Sequence, residues 1–319
     1  MPTTIGYGNG YQISYMNSGK MTNKGWEFRV DAVPFQNKDW RVGVYFNIAH
    51  NENKITEMPD NYIEENYTFG NGNYAYRREE GRPMGSFYGY RYKGVCQNKD
   101  ATYARDADGN VMKDISGNAI VMRNGSYTVA PGDAIYEDVN HDGVINQYDI
   151  VYLGNSNPRL TGGAGLNVSY KQFKLSAIFY GQDVVNATRL NNESMRGIDN
   201  QSTAVLRRWR NEGDQTDIPR ALYGEGYNTL GSDRFVEDAS YLRIKNISLG
   251  YTFPQKWLRR LQIDHLRLYV NIQNLCTITG YKGYDPEIGA LNYNVLLRGV
   301  DDARYPSQRI YTFGLNFNF

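Results

Sequence analysis

From residue 309 to 319 the chain reads RIYTFGLNFNF, so that Tyr311, Phe313, Leu315, Phe317 and Phe319 alternate with Thr312, Gly314, Asn316 and Asn318. A period of two sends successive side chains to opposite faces of an extended strand, here one apolar and one polar. The alternation recurs at Trp26, Phe28, Val30 and Ala32, at Trp40, Val42, Val44, Phe46 and Ile48, and at Ala164, Leu166, Val168 and Tyr170. It returns at Phe173, Leu175, Ala177 and Phe179, at Ile247, Leu249, Tyr251 and Phe253, and at Leu266, Leu268, Val270 and Ile272. These runs predict about seven long strands. Their intervening positions hold Glu27, Arg29, Asp31, Arg41, Asn47, Asn167, Lys174, Arg267 and Asn271, so the second face is wet. One strand breaks phase: Leu242 and Ile244 are apolar on even numbers, whereas Ile247 onward is apolar on odd ones. A β-bulge near Lys245 and Asn246 restores the face; the alternative is that residues 240–244 belong to a loop end.

The connections between these runs alternate strictly between short and long. Residues 36–39 and 171–172 are tight turns, and 254–263 is a modest link whose WLRRL suits one helical turn. Between them lie very long segments, 50–159, 182–235 and 280–307. A soluble β-sandwich has no reason to put every long loop at one end, whereas an outer-membrane barrel has short periplasmic turns and long extracellular loops. A lipid-facing apolar stripe and a polar lumen also account for the two-faced strands. The predicted fold class is therefore all-β, an antiparallel transmembrane β-barrel segment with long extracellular loops. Bacterial barrels have an even strand number, so an odd set ending in the periplasm reads as an incomplete barrel whose first part is missing.

Composition supports this and removes other classes. With 28 Tyr, 33 Gly and 14% aromatic residues, the chain favours β structure with many turns over helix bundles. A formal net charge of +1, with no basic run beyond RRWR at 207–210, argues against nucleic acid as a partner. Two cysteines, Cys96 and Cys276, are not a disulfide framework and are expected to be free. No stretch approaches the roughly 18 to 20 apolar residues of a spanning helix, which says nothing against spanning strands. The opening MPTTIGYGNG lacks the basic start and apolar core of a signal peptide.

The stretch DVNHDGVIN at 138–146 carries the spacing of a calcium loop. Asp138, Asn140 and Asp142 fall at positions 1, 3 and 5, Gly143 gives the turn at 6, Val144 offers its carbonyl at 7, and Asp149 falls at 12. Asn146 at position 9 would act through water. Hard oxygen donors at this spacing wrap one ion because Gly143 can adopt the angles that reverse the chain. Position 12 is Asp rather than the longer Glu, and no amphipathic helices flank the loop, so an Asn/Asp/Gly turn is the competing reading. DADGN (106–110) and DISGN (114–118) lack the full spacing and read as hairpin turns. The loop region 50–159 has too few apolar residues for its own core, so calcium at 138–149 is expected to act as a structural staple.

In the second long segment, STAVLRRWRNEGD (202–214) begins with a Ser cap and places Val205, Leu206 and Trp209 on one side, which predicts a short helix. Catalysis has little support. His50, His141 and His265 are scattered, and no Ser or Cys has a recognisable His and acidic partner nearby.

Several stretches together resemble the C-terminal part of SusC/RagA-type TonB-dependent outer-membrane transporters. They are NSGKMTNKGWEF (17–28), EEGRPMGSFYGYRYKGV (79–95), the run from GDAIYEDVNHDG to AIFYGQ (132–182), DASYLRIKNISLGYTFP (238–254), LRLYVNIQNLCTITGYKGYDPE (266–287) and the terminal YTFGLNFNF. They run in family order and are spread along residues 17–319 of the 319. The resemblance implies a large barrel, here without its plug domain and earlier strands. It implies uptake of oligosaccharides or peptides with a SusD-like lipoprotein, and TonB as energy source, engaged through the missing N-terminal part. The barrel-assembly machinery would read Phe319, and membrane lipid would surround the wall. The family often carries a similar acidic loop, which fits a structural calcium at Asp138, Asn140, Asp142, Val144 and Asp149. The aromatics of FYGYRY (87–92) and GYKGYDPE (280–287) would then stack on sugar faces or form an interfacial girdle. The alternative function is a soluble or surface calcium-dependent β-rich binding or adhesion module.

Overall fold

A computed structural model describes residues 19–58, 78–183, 203–222, 226–289, 298–301 and 305–319, together with the short strands Pro2–Thr4, Ile13–Tyr15, Asn66–Phe69, Gly72–Ala75 and Asn186–Arg189. Seven long strands form one antiparallel sheet: β1 (Lys20–Gln36), β2 (Trp40–Glu57), β3 (Leu160–Tyr170), β4 (Phe173–Asp183), β5 (Tyr241–Thr252), β6 (His265–Thr279) and β7 (Ile310–Asn318). Each pairs with its neighbours in sequence, in the order β7-β6-β5-β4-β3-β2-β1, and the sheet does not close on itself. Among the described residues β1 and β7 thus each keep one unpaired edge, as a section of a larger barrel wall requires.

Pairing register lines the apolar positions into rows across the wall. One row runs Ala32, Val44, Leu166, Ala177, Ile247, Ile272, Tyr311; the next runs Val42, Val168, Leu175, Leu249, Val270, Phe313. Phe28, Val30, Phe46, Leu249, Val270, Phe313 and Leu315 are all exposed. An apolar patch of this extent is stable only against another apolar phase, because each Å² left in water forgoes about 25 cal/mol. The opposite face carries the row Asn167, Ser176, Ser248, Asn271, Thr312, in which the Ser176 hydroxyl donates to Asn167 Oδ1 at 2.8 Å. Gly165 on this face is covered by the Tyr45 ring, which a Cβ would meet at 1.8 Å, so only glycine lets the ring lie flat there.

The phase break in β5 is a bulge. Ile178 faces Asn246 and Phe179 faces Ile244, which leaves Lys245 as the extra residue. On the other side Ile244 pairs Cys276 and Asn246 pairs Gln273, so β6 answers with Asn274 and Leu275, and Asn274 takes φ 51°. Residues 241–244 therefore belong to the strand rather than to a loop end.

The short connections also form as expected. Asn37 Oδ1 accepts from the backbone amides of Asp39 (2.9 Å) and Trp40 (2.8 Å), and Lys171 turns its two-residue hairpin at φ 49°. The WLRRL link forms one α-turn, Gln255–Leu258, continued as the 3₁₀ segment Arg259–Leu261.

Two expectations about the long loops are corrected. The loop region takes part in a core, though a shared one: Tyr90, Cys96, Ala104, Met122, Val129, Ala134, Tyr136 and Ile145 pack with Tyr227 and Leu230 from the next long loop. Its apolar residues come singly between turns and become sufficient only when two loops pool them. The expected helix at 202–214 is a 3₁₀ segment, Thr203–Arg207, in which Val205 is buried but Leu206 is exposed. Trp209 leaves the helical line to pack on Gly132, where a Cβ would meet its ring at 2.3 Å.

Candidate functional site

The two loops meet at Asp133, which is fully buried and follows the tight positive-φ turn at Gly132. Arg220 Nε donates to its Oδ1 at 2.7 Å, and Asn228 Nδ2 donates to the same oxygen at 3.1 Å. Oδ2 accepts from the Tyr127 hydroxyl at 2.7 Å and the Ala130 amide at 2.8 Å. Burial and then the bond to this carboxylate push the Tyr127 phenol well above its ordinary range. The Asn228 carbonyl takes the Ala134 amide at 2.8 Å, and the Tyr136 hydroxyl donates to the Tyr227 carbonyl at 3.0 Å. A buried carboxylate is tolerated when its lone pairs are all answered, and this one is. The result is a folded cap at the long-loop end of the wall.

The acidic loop 138–149 hangs from this cap. Asp138 accepts from the amides of Asp142 (3.2 Å) and Gly143 (2.7 Å), and Asp142 accepts from the Val144 amide (2.7 Å) and from Asn140 Nδ2 (2.9 Å). Asp149 is fully buried and accepts from Val139 and Asn146, both at 2.8 Å, while Asn146 Nδ2 donates to the Val144 carbonyl at 3.1 Å. Burial, the larger influence, raises the Asp149 carboxyl above the usual range. The loop thus brings Asp138, Asn140, Asp142, Val144 and Asp149 onto one closed turn with Gly143 at φ 78°, and Ile145 anchors it in the cap core. Among the described residues no three His, Cys, Asp or Glu side chains are grouped as metal ligands, and amide donors answer the crowded carboxylates. Asp106 and Asp114 form the simple turns expected of them, each accepting from the amides two and four residues on.

Where the cap side meets the polar face of the wall, a second cluster joins β5 to the loop after β6. The buried guanidinium of Arg243 pairs with Asp285 and, at 2.8 Å, with Glu287, and also donates to Thr277 Oγ1 (2.8 Å) and Ser307 Oγ (3.2 Å). Lys245, the bulged residue, reaches Glu287 at 2.7 Å. Burial opposes the Asp285 charge, but the amides of Glu287 and Ser307 and the Arg243 guanidinium hold its carboxyl at about 2. YLRIKN and GYDPE are thus one joint. Sequence reading missed it, as it missed Asp133 with Arg220, because the partners are 42 and 87 residues apart. Both motifs were visible; nothing in their spacing paired them.

The aromatic expectation is corrected for the first loop. Phe87, Tyr88 and Tyr90 are buried, so they neither stack outward nor form a girdle, and Tyr90 belongs to the cap core. In the second stretch Tyr281 is buried against Asp301, to which its hydroxyl donates, while Tyr284 is exposed. Both cysteines are free, and burial pushes the Cys96 thiol up to about 12.

No family model matches the chain. The chain is 32% identical to TonB-dependent receptor P3 of Formosa agariphila over 98% of its own length, and 28% identical to TonB-dependent receptor SusC of Bacteroides thetaiotaomicron over 95%. It spans 30% and 27% of those two relatives. Among solved structures it resembles the RagAB peptide transporter, with 25% identity and a TM-score of 0.68 over 99% of this chain and 31% of that one. These relatives are receptors and transporters rather than enzymes. An apolar outer face, a polar inner face and a cap at the long-loop end are what such a receptor needs, and the chain belongs to the SusC/RagA-type TonB-dependent receptors of the outer membrane, as a C-terminal section of their barrel wall.

Proposed function

We propose that this chain serves active import of oligosaccharides or peptides across the outer membrane, in company with a SusD-like lipoprotein and with TonB as the energy source. The observation that carries this reading is the similarity over nearly the whole chain to receptors of that kind, one of the solved relatives being a peptide transporter. The two-faced wall supports it, since its polar rows would line a lumen while its apolar rows meet lipid. In this reading a lipoprotein lid would close over the cap. In the whole receptor TonB would act through an N-terminal region with a plug, and the barrel-assembly machinery would read the exposed Phe319.

We also assign calcium a structural role at Asp138, Asn140, Asp142, Val144 and Asp149. The support is their placement on one turn with the calcium-loop spacing. The ion would add to a cap that already has a core.

The test of the import reading is uptake of labelled oligosaccharide and peptide pools by cells with and without the full-length receptor, repeated in a strain lacking TonB. Loss of one pool in both backgrounds, and co-purification of a lipoprotein with the receptor, are expected. Uptake unchanged in the receptor deletion would sink the proposal.

A further inference from the structure

Three connections close the end of the wall opposite the cap: residues 37–39, 171–172 and 253–264. There the apolar face finishes in a band of rings. Trp40 lies 4.3 Å from Tyr170, Phe173 lies 4.7 Å from Tyr251, and Tyr251 lies 5.0 Å from Phe253. The band continues past the strand, because Phe253 lies 6.4 Å from Trp257 in the helical turn Gln255–Leu258. Leu258 is buried and pins that turn to the wall, whereas Trp257 is 59% exposed. Lys256, Arg259 and Arg260 are exposed beside it and make no ion pair with any described residue. Lys38 and Lys171 occupy the other turns, with Lys171 Nζ 5.3 Å above the Tyr170 ring. Against these five cations the three turns hold two carboxylates, Asp39 and Asp264, so a chain of net charge +1 concentrates positive charge in them.

We propose that the 253–264 turn is a binding surface for anionic phospholipid headgroups of the periplasmic leaflet. Trp257 prolongs the lipid-facing band to headgroup depth, where an indole keeps its apolar body in hydrocarbon and its N–H in water. Lys256, Arg259 and Arg260 then stand in the plane of the lipid phosphates, to which each basic side chain is drawn. The ring band is continuous with the apolar face that the membrane covers, and only a bilayer presents phosphate in register with such a band. A soluble acidic partner would have no use for Trp257. The proposal rests on the outer-membrane placement and is independent of which nutrient is imported.

The test uses the full-length receptor in nanodiscs of phosphatidylcholine containing a minority of phosphatidylglycerol, with the lipid retained after detergent extraction counted by native mass spectrometry. Phosphatidylglycerol should be enriched over phosphatidylcholine, and the Lys256→Gln, Arg259→Gln, Arg260→Gln variant should lower that enrichment by about tenfold. Interchanging Lys and Arg at the same positions should keep it, which separates charge from folding of the turn. Trp257→Ala should reduce retention of both lipids together. Excess inorganic phosphate should displace neither. Enrichment unchanged in the glutamine variant, or phosphatidylglycerol displaced by inorganic phosphate, would overturn the proposal.

Discussion

Arg220 and Asp133 are 87 residues apart in the chain and 2.7 Å apart in space, and their contact makes two long loops one body. The carboxylate is fully buried while a third of the Arg220 side chain still reaches solvent. Removing the cation therefore strands a charge that has no other counter-ion in the contacts described above. Arg220→Ala should cost the cap about 3 kcal/mol, the low end of the range for a broken buried pair. Hydrogen exchange should then quicken in Ser86–Gly89 and Ala134–Tyr136 but not in β3 or β4. Equal exchange rates in mutant and parent would mean that the core alone holds the loops.

Alkali should open the same cap. Burial, aided at Tyr127 by the Asp133 bond, raises the phenols of Tyr127, Tyr136 and Tyr227 above their ordinary value. A raised tyrosine pKa favours the neutral form in the folded state. Its contribution is complete below the unfolded pKa of about 10 and is lost as the pH climbs from there through the folded values. Tyrosinate absorbance and protease sensitivity of residues 86–136 should accordingly rise together above pH about 10. Ionisation without any gain in cleavage would contradict this.

For the acidic loop, Asp142→Ala should abolish calcium-dependent protection of residues 132–155 from proteolysis and leave β7 unaffected. Asp142 also caps the Val144 amide, so some cleavage should appear in the variant without calcium. If chelator and calcium protect the parent protein equally, the loop is a turn only.

Neighbouring residues on β6 offer a test of the two faces. Val270 lies between Leu249 and Phe313 on the apolar side, whereas Asn271 lies between Ser248 and Thr312 on the polar side. Val270→Arg should destabilise the reconstituted receptor by about 2 to 4 kcal/mol, the range for arginine facing lipid near the midplane. Asn271→Arg should be close to neutral. Denaturant titration in vesicles reads both, and equal costs would refute the assignment of faces.

The bulge at Lys245 should be sensitive to deletion and not to substitution. Removing the residue turns 241–244 over, which would send the Arg243 guanidinium toward lipid and Ile244 toward the lumen. Lys245→Ala removes the pair with Glu287, partly exposed on both sides, and the ammonium contact with the Tyr180 ring at 5.2 Å, each worth at most about 1 kcal/mol. Assembly into the outer membrane, read by surface labelling, should fail for the deletion and persist for the alanine. Normal assembly of the deletion would show that β5 is not held in register by its outer face.

Sequence by itself determined the wall. A bilayer demands an apolar side chain at every second position, so Phe313, Leu315 and Phe317 declare their face locally, and the break between Ile244 and Ile247 declares the bulge. Turn chemistry is equally local, as Asn37, Asp106 and Asp114 bond to amides within a few residues. Only the tertiary structure decided the cap. Tyr90, Cys96, Met122 and Ile145 follow no period, and they become a core only when Tyr227 and Leu230 arrive from another loop. The pairing of Asp133 with Arg220, like that of Arg243 with Asp285 and Glu287, depends on where the strands deliver distant segments. Hydrophobic periodicity records what a residue meets along its own strand, whereas a buried ion pair or a pooled core records what the finished fold brings to it.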